Sequence, residues 1–277
     1  MRNRVPLVVP AVVAAVLSVI LDVLVAKVLP FPPGFDTPNA ADQTVVGQVF
    51  AIIGGDVFFA VVAFAVAFII YYSREHNQVP YDRHARSNVP LQISWLAASI
   101  VLVLFAAGYG VIALEGQTTP SLAVPAKALA AGAASHPFIV QVIAQQWQFT
   151  YRYPQYGGFE TQQLRVPVGR LVEFDVTSLD VTHDFWAYQL GVKVDANSGD
   201  NNVGYAYISK PTVIDVRCGE LCGLWHGYMT NVGSQAGQAL SASNFASWLS
   251  YAQATYGPEV KYLPKFSLTY YPAPLTY

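Results

Sequence analysis

The sequence predicts a membrane-anchored all-β protein: three N-terminal transmembrane helices followed by a domain of short strands outside the bilayer. Three observations carry this reading. The 277 residues are 53% apolar and only 12% charged, against roughly 25% charged in an ordinary soluble chain. Three apolar stretches fall within residues 1–115, each long enough for the roughly 20 residues a helix needs to cross a bilayer. After residue 137 the pattern changes to a period of two. The balance of fifteen Lys and Arg against seventeen Asp and Glu gives a net charge of −2. That excludes a nucleic-acid partner, and the aromatic content excludes disorder.

The spans are read at about 5–29, 46–72 and 89–114. Met1-Arg2-Asn3-Arg4 suits a signal peptide as well. The run that follows is longer than a signal core of about 7–15 residues, however, and has no A-x-A site after it, so it is taken as a retained span. Arg2 and Arg4 precede the first span, and Arg74, Arg83 and Arg86 lie between the second and third. The connection at 30–45 holds Asp36 and Asp42 and no Lys or Arg. This asymmetry puts the N-terminus inside and everything after residue 115 outside. Asp56 falls within the second span, either as a functional intramembrane acid or as a carboxyl satisfied by a neighbouring helix. Asp22 sits near the outer end of the first span, where it can reach water.

Residues 116–136, rich in Ala, Gly, Ser, Thr and Pro, read as a linker. The β domain follows at 137–240. In it Trp147, Phe149, Tyr151 and Tyr153 alternate with Gln146, Gln148, Thr150 and Arg152, and Val172, Phe174 and Val176 alternate with Leu171, Glu173, Asp175 and Thr177. Gly and Pro punctuate these runs, the pattern of a sandwich or barrel. Residues 241–277 supply a C-terminal helix over 243–256, capped by Ser241 or Ser243 and stopped at Gly257, and then a Pro- and Tyr-rich extended tail.

The chemistry concentrates in Cys218-Gly-Glu220-Leu-Cys222-Gly-Leu-Trp-His226-Gly-Tyr-Met229, with His183 lying 35 positions before Cys218. Two thiols, an imidazole and a thioether within twelve residues, with a second imidazole to hand, suit copper. A Cys2His2 zinc site and a Cys218–Cys222 disulfide are the competing readings, although neither uses Met229. His76, His84 and His136 stand alone in connections and are read as solvated. No Cys-x-x-Cys-His occurs, so the chain attaches no c-type haem.

On these residues the chain resembles subunit II of the haem–copper terminal oxidases of the cytochrome c oxidase type, over roughly residues 46–250. The spacing Cys-x-Glu-x-Cys-Gly-x-x-His-x-x-Met, the upstream His183 and Leu190-Gly-Val-Lys-Val-Asp195-Ala carry the likeness. The resemblance implies a cupredoxin-like Greek-key β barrel behind the transmembrane helices. It implies a dinuclear copper A centre with Cys218 and Cys222 bridging two coppers, His183 and His226 ligating one each, Met229 as the weak thioether ligand and Glu220 giving its backbone carbonyl. The Glu220 side chain would also help bind Mg or Mn at the border with subunit I, and Trp147 would be the electron-input residue. The implied function is acceptance of electrons from an external donor, a cytochrome c or a copper protein. The electrons pass to haem in subunit I, where oxygen is reduced with proton pumping. The implied setting is the plasma membrane of a prokaryote, ahead of the mitochondrial inner membrane, alongside subunit I and other oxidase subunits.

The sequence departs from the family in three ways: an extra N-terminal span, Gln92 where A-type relatives often carry a Glu, and no acidic excess outside the membrane. From 116 to 277 there are nine Lys and Arg against ten Asp and Glu, and Arg152 lies near Gln145-Gln146-Trp147, which resembles the family's aromatic patch; both disfavour a strongly basic donor. A copper chaperone would place its His downstream and lack the Met. A nitrous oxide reductase would add a His-rich propeller, and a quinol oxidase subunit would lose the copper ligands.

Overall fold

A computed structural model describes residues 8–29, 37–75, 88–121 and 123–263. Arg2, Arg4, Asp36, His76, Arg83, His84, Arg86 and the tail beyond Leu263, all used in the sequence reading, lie outside the described residues. The chain forms two units.

The first unit is helical. The helices are α1 (Val8–Lys27), α2 (Pro38–Glu75) and α3 (Val89–Thr118). All three are long and apolar enough to cross a membrane, and almost none of their residues is fully buried inside the chain. The second begins at Pro38 and not at about residue 46. Thr37 caps it by accepting a hydrogen bond from Ala40 N at 3.0 Å, and Pro38 takes the first position, where its missing N–H costs nothing. The helices α1 and α2 meet along a polar seam. The Ser18 hydroxyl donates to Asp56, and Gln48 Nε2 donates to the Val25 carbonyl at 3.2 Å. Such intramembrane hydrogen bonds contribute about 0.6 kcal/mol each. Asp22 is half-buried, and its Oδ1 is buried with no hydrogen-bond partner among the described residues.

The second unit is the β domain. It contains β1 (Phe138–Gln145), β2 (Gln148–Tyr153), β3 (Phe159–Thr161), β4 (Arg165–Pro167), β5 (Leu171–Ser178), β6 (His183–Ala187), β7 (Val192–Ala196), β8 (Asn202–Tyr207), β9 (Thr212–Ile214), β10 (Val216–Cys218), β11 (Thr230–Asn231) and β12 (Gly237–Leu240). Three sheets run β3-β2-β1-β5-β8, β11-β10-β6-β7 and β4-β12-β9. Strands β1 and β5 are parallel, whereas β6 pairs antiparallel with both β7 and β10. The even positions of β1 and β5 and the odd positions of β2 point inward, as the alternation requires. They build one aromatic core from Phe138, Phe149, Tyr151, Tyr153 and Phe174. Phe185 of β6 inserts among them, its ring 5.2 Å from that of Phe174 and 6.0 Å from that of Phe149. Burying each such side chain contributes about 1.5–3 kcal/mol. The helix α5 (Ala242–Tyr256), capped by Ser241, covers one end of this core by packing Phe245 on Phe138 and Trp248 on Tyr153.

The outward positions are less exposed than alternation suggests. Arg152 is 0% exposed and pairs with Glu160 on the neighbouring strand, so it adds no positive charge to the surface. Thr177 turns inward under the 197–200 loop, donating to Asp200 O at 2.7 Å. The stretch read as a linker includes a short helix, α4 (Ala126–Ala130), and buries Ala123 and Val124 against Leu171. Past α5 the backbone keeps helical angles at Gly257 and runs on as a 3₁₀ helix to Tyr262, where an extended tail was expected. Pro258 fits the first turn of that helix.

The segment from Thr37 to Thr44, which opens α2, belongs to the second unit and packs on its strands. Thr37 donates to Leu190 O at 2.7 Å, Asn39 to Tyr205 O at 2.7 Å and Gln43 to Gly191 O at 2.5 Å. Gly191 has φ +65°, and a Cβ there would stand 2.6 Å from Ala40 N. Gly191→Ala is therefore expected to destabilise this unit by more than about 1 kcal/mol through backbone strain and the clash. The measurement is the unfolding temperature of the detergent-solubilised chain, which should fall; an unchanged temperature would refute the contact.

Candidate metal centre

The thiol motif occupies the loop between β10 and β11. Its ends are held together because these strands pair, Arg217 opposite Thr230, and because Cys218 N donates to Met229 O at 3.0 Å. The first and last sulfur-bearing residues of the motif are thus neighbours. Between them the loop doubles back and brings Cys222 Sγ to 3.7 Å from Cys218 Sγ. Both cysteines are free, whereas a disulfide needs about 2.05 Å.

The remaining donors surround this pair. His226 Nδ1 is 3.5 Å from Cys222 Sγ, Met229 Sδ is 3.8 Å from the same sulfur, and the Glu220 carbonyl oxygen is 3.2 Å from Cys218 Sγ. His183, fully buried, starts β6 beside β10 and places Nδ1 3.8 Å from Cys218 Sγ. All six residues singled out from the sequence as copper ligands therefore converge, with the thiols, Met229 and His183 sunk into the end of the barrel core.

Outer contacts orient these groups. Asp180 Oδ1 lies 2.8 Å from His183 Nε2. A proton on Nε2 leaves Nδ1 as a free lone pair aimed at the sulfurs, the carboxylate–histidine arrangement common around metal ligands. Burial raises the Asp180 pKa, but hydrogen bonds from Gln146 N, His183 and Val181 N outweigh it and hold the carboxyl below its ordinary value. Asp180 precedes His183 by three residues, and that spacing is the one sequence signal for its role. Trp147 falls in the two-residue turn between β1 and β2 and not in a strand. It is half-buried, and its Nε1 donates to Cys222 O at 3.2 Å, an oxygen that also accepts from Gln146 Nε2 at 2.8 Å. Nothing in the sequence joined Gln146 to the thiol loop.

Two thiolates, two imidazole Nδ1 atoms, a thioether and a carbonyl form a soft, closed donor set that fits copper better than hard cations. Burial, reinforced by Cys218, pushes the Cys222 thiol up to about 12. Binding a metal there would require that thiol to lose its proton, so affinity would weaken as pH falls. Asp180→Asn is expected to weaken copper binding about 10–100-fold by freeing the His183 ring. Competition titration of the full chain at fixed pH checks this, and an unchanged affinity would remove Asp180 from the centre.

The chain is similar to known proteins over much of its length. A family model described as "Cytochrome C oxidase subunit II, periplasmic domain" matches residues 159–235. Cytochrome c oxidase subunit 2 of Alkalihalophilus pseudofirmus is 28% identical over 61% of this chain. That match takes in 48% of the relative, so the chain spans about half of that protein's length. The corresponding protein of Yarrowia lipolytica is 30% identical, with 64% of this chain aligned to 76% of it. Among solved structures, the periplasmic domain of subunit II of cytochrome oxidase from Bradyrhizobium japonicum is 28% identical, covering 43% of this chain and 95% of that one at a TM-score of 0.40. On the breadth of the match to the Yarrowia protein, together with the matched family model, the chain belongs to the cytochrome c oxidase subunit II family.

Proposed function

We propose that this chain is the electron-input subunit of a haem–copper terminal oxidase. It receives electrons from an external donor at a dinuclear copper A centre and passes them to haem in subunit I, which reduces oxygen to water with proton pumping. The observation that carries the reading is the convergence of His183, Cys218, Glu220, Cys222, His226 and Met229 around one thiol pair. Copper held by Cys218, Cys222, His183, His226, Met229 and the Glu220 carbonyl would supply a one-electron store. The protein does the rest. The loop ends are locked, His183 is oriented by Asp180, and no position is left open for a substrate, in contrast to a catalytic metal site. The Glu220 side chain is available to a Mg or Mn ion at the subunit I border. The copper domain lies on the outer face of the membrane and the N-terminus on the cytoplasmic side, as the distribution of Lys and Arg directs. A prokaryotic plasma membrane is the setting.

Trp147 is the electron-input residue, because its indole is hydrogen-bonded to the backbone of a thiol ligand while part of the ring reaches the surface. The surrounding loop is apolar: Leu224 is 84% exposed and Tyr228 77%, with Trp225 beside them. From 219 to 229 the sole charged side chain is that of Glu220, and Arg152 is withdrawn into the fold. This surface suits a donor with an apolar, weakly charged docking face, a copper protein ahead of a basic cytochrome.

Two measurements test this. Copper-loaded full chain should hold two coppers with one unpaired electron shared equally over both nuclei by electron paramagnetic resonance; a single-nucleus spectrum or a preference for zinc refutes the centre. Trp147→Phe should slow reduction by the donor at least about tenfold, some 1.4 kcal/mol in the barrier, at unchanged copper content. In the same assay the wild-type rate should depend weakly on salt; a steep loss confined to basic donors would overturn the docking argument.

A further inference from the structure

A pair of acids that the electron-transfer reading does not use lies on the five-stranded sheet. The odd positions of β5 face away from the aromatic core, yet Leu171 and Asp175 are buried there and Glu173 is half-buried. Part of the cover is the stretch that leads from α3 into β1. In it Ala123 and Val124 pack on Leu171, and Ala128, Ala133 and Ala134 join them together with Tyr205 and Tyr207 of β8. Glu173 stands directly across from Tyr205. The Tyr205 hydroxyl donates to Glu173, and Glu173 is hydrogen-bonded in turn to Asp175. Two carboxyl groups share a hydrogen bond only with a proton between them; with both ionised they repel. The neighbouring strand β1 presents Ile139 and Gln141 to the pair, and Gln141, buried with an unpartnered Oε1, adds no positive charge. Arg152, opposite Gln141 on β2, is paired with Glu160. The charged groups of the covering stretches, Lys127 of α4 and Asp42 near the start of α2, are exposed.

We propose that Glu173 and Asp175 form a proton-operated latch: sharing one proton, they hold Tyr205 on β5 and the linker closed over it, and losing that proton loosens both. Burial, and then the charge of Asp175, pushes Glu173 up to about 7. Burial, with the two acids adding to it, pushes Tyr205 up to about 12. Tyr205 therefore stays a donor throughout, and the carboxyl pair is the part that switches. By linkage, Glu173 binds its proton more tightly in the folded chain than in the unfolded one, where its ordinary value of 4.5 applies. The stabilisation is complete below about pH 4.5 and is lost as pH rises to about 7. A domain so built is tightest in an acidic medium. Tyr205 also ties this cluster to the start of α2, because its carbonyl accepts from Asn39 at 2.7 Å. The latch goes beyond the electron-transfer reading and works with or without copper in the thiol centre.

Hydrogen–deuterium exchange of the detergent-solubilised full chain tests this, with the intrinsic exchange rate divided out at each pH. The backbone amides of 123–134 should open at least about tenfold more at pH 7 than at pH 5, with little further change above pH 8. Glu173→Gln puts an amide between Tyr205 and Asp175 that has no proton to lose, and it should hold opening near the pH 5 level throughout. Asp175→Asn removes the like charge while burial still acts on Glu173, so it should shrink the change and move it to lower pH. The latch is overturned if opening in the wild-type chain does not rise across this window, or if folded Glu173→Gln keeps the wild-type dependence. Should Glu173→Gln not fold, an unshifted profile in Asp175→Asn overturns it instead.

Discussion

The hydrogen bond from Cys218 N to Met229 O closes the loop on which the candidate centre depends. With its ends pinned by the β10–β11 pairing, the segment from Gly219 to Tyr228 must turn back on itself. That places Cys222 and His226 beside Cys218. Without the closure, donors up to eleven residues apart in the chain would have no reason to meet, and ordering so many side chains from an open loop would cost conformational entropy. The core supplies the anchor: Phe185, between Phe149 and Phe174, holds β6 in place, and β6 pairs with β10 opposite Cys218.

Around the loop a second layer links distant parts of the chain. Asp180 accepts from Gln146 N and lies against His183, while Gln146 and Trp147 both donate to Cys222 O. Three segments, near 146, 180 and 222, thus share one hydrogen-bonded network, which fixes the tautomer of one imidazole and the pose of one indole. Preorganisation of this kind suits electron transfer, where rearrangement on reduction adds to the barrier.

The polar seam between α1 and α2 has a different physical basis. In hydrocarbon no water competes for Ser18, Gln48 or Asp56, so side-chain and backbone groups of the two helices satisfy one another. The lipid-like exposure of the rest of the three helices is what a bilayer or neighbouring membrane subunits would cover.

The sequence by itself determined the three apolar spans, the change from continuous apolar runs to period two, and the six copper-ligand candidates. Span length, alternation and ligand spacing are local properties of the chain. The tertiary structure decided the rest. Arg152 reads as a surface charge because alternation assigns a face but not what covers it, and the neighbouring strand brings Glu160 to it inside the fold. Pro38 starts α2 because Thr37 caps it and packs on Leu190, 153 positions away. The role of Gln146, which joins Asp180 to the Cys222 carbonyl, rests on loop contacts that no short window of sequence contains, because hydrogen bonding acts through space and only folding makes these residues neighbours.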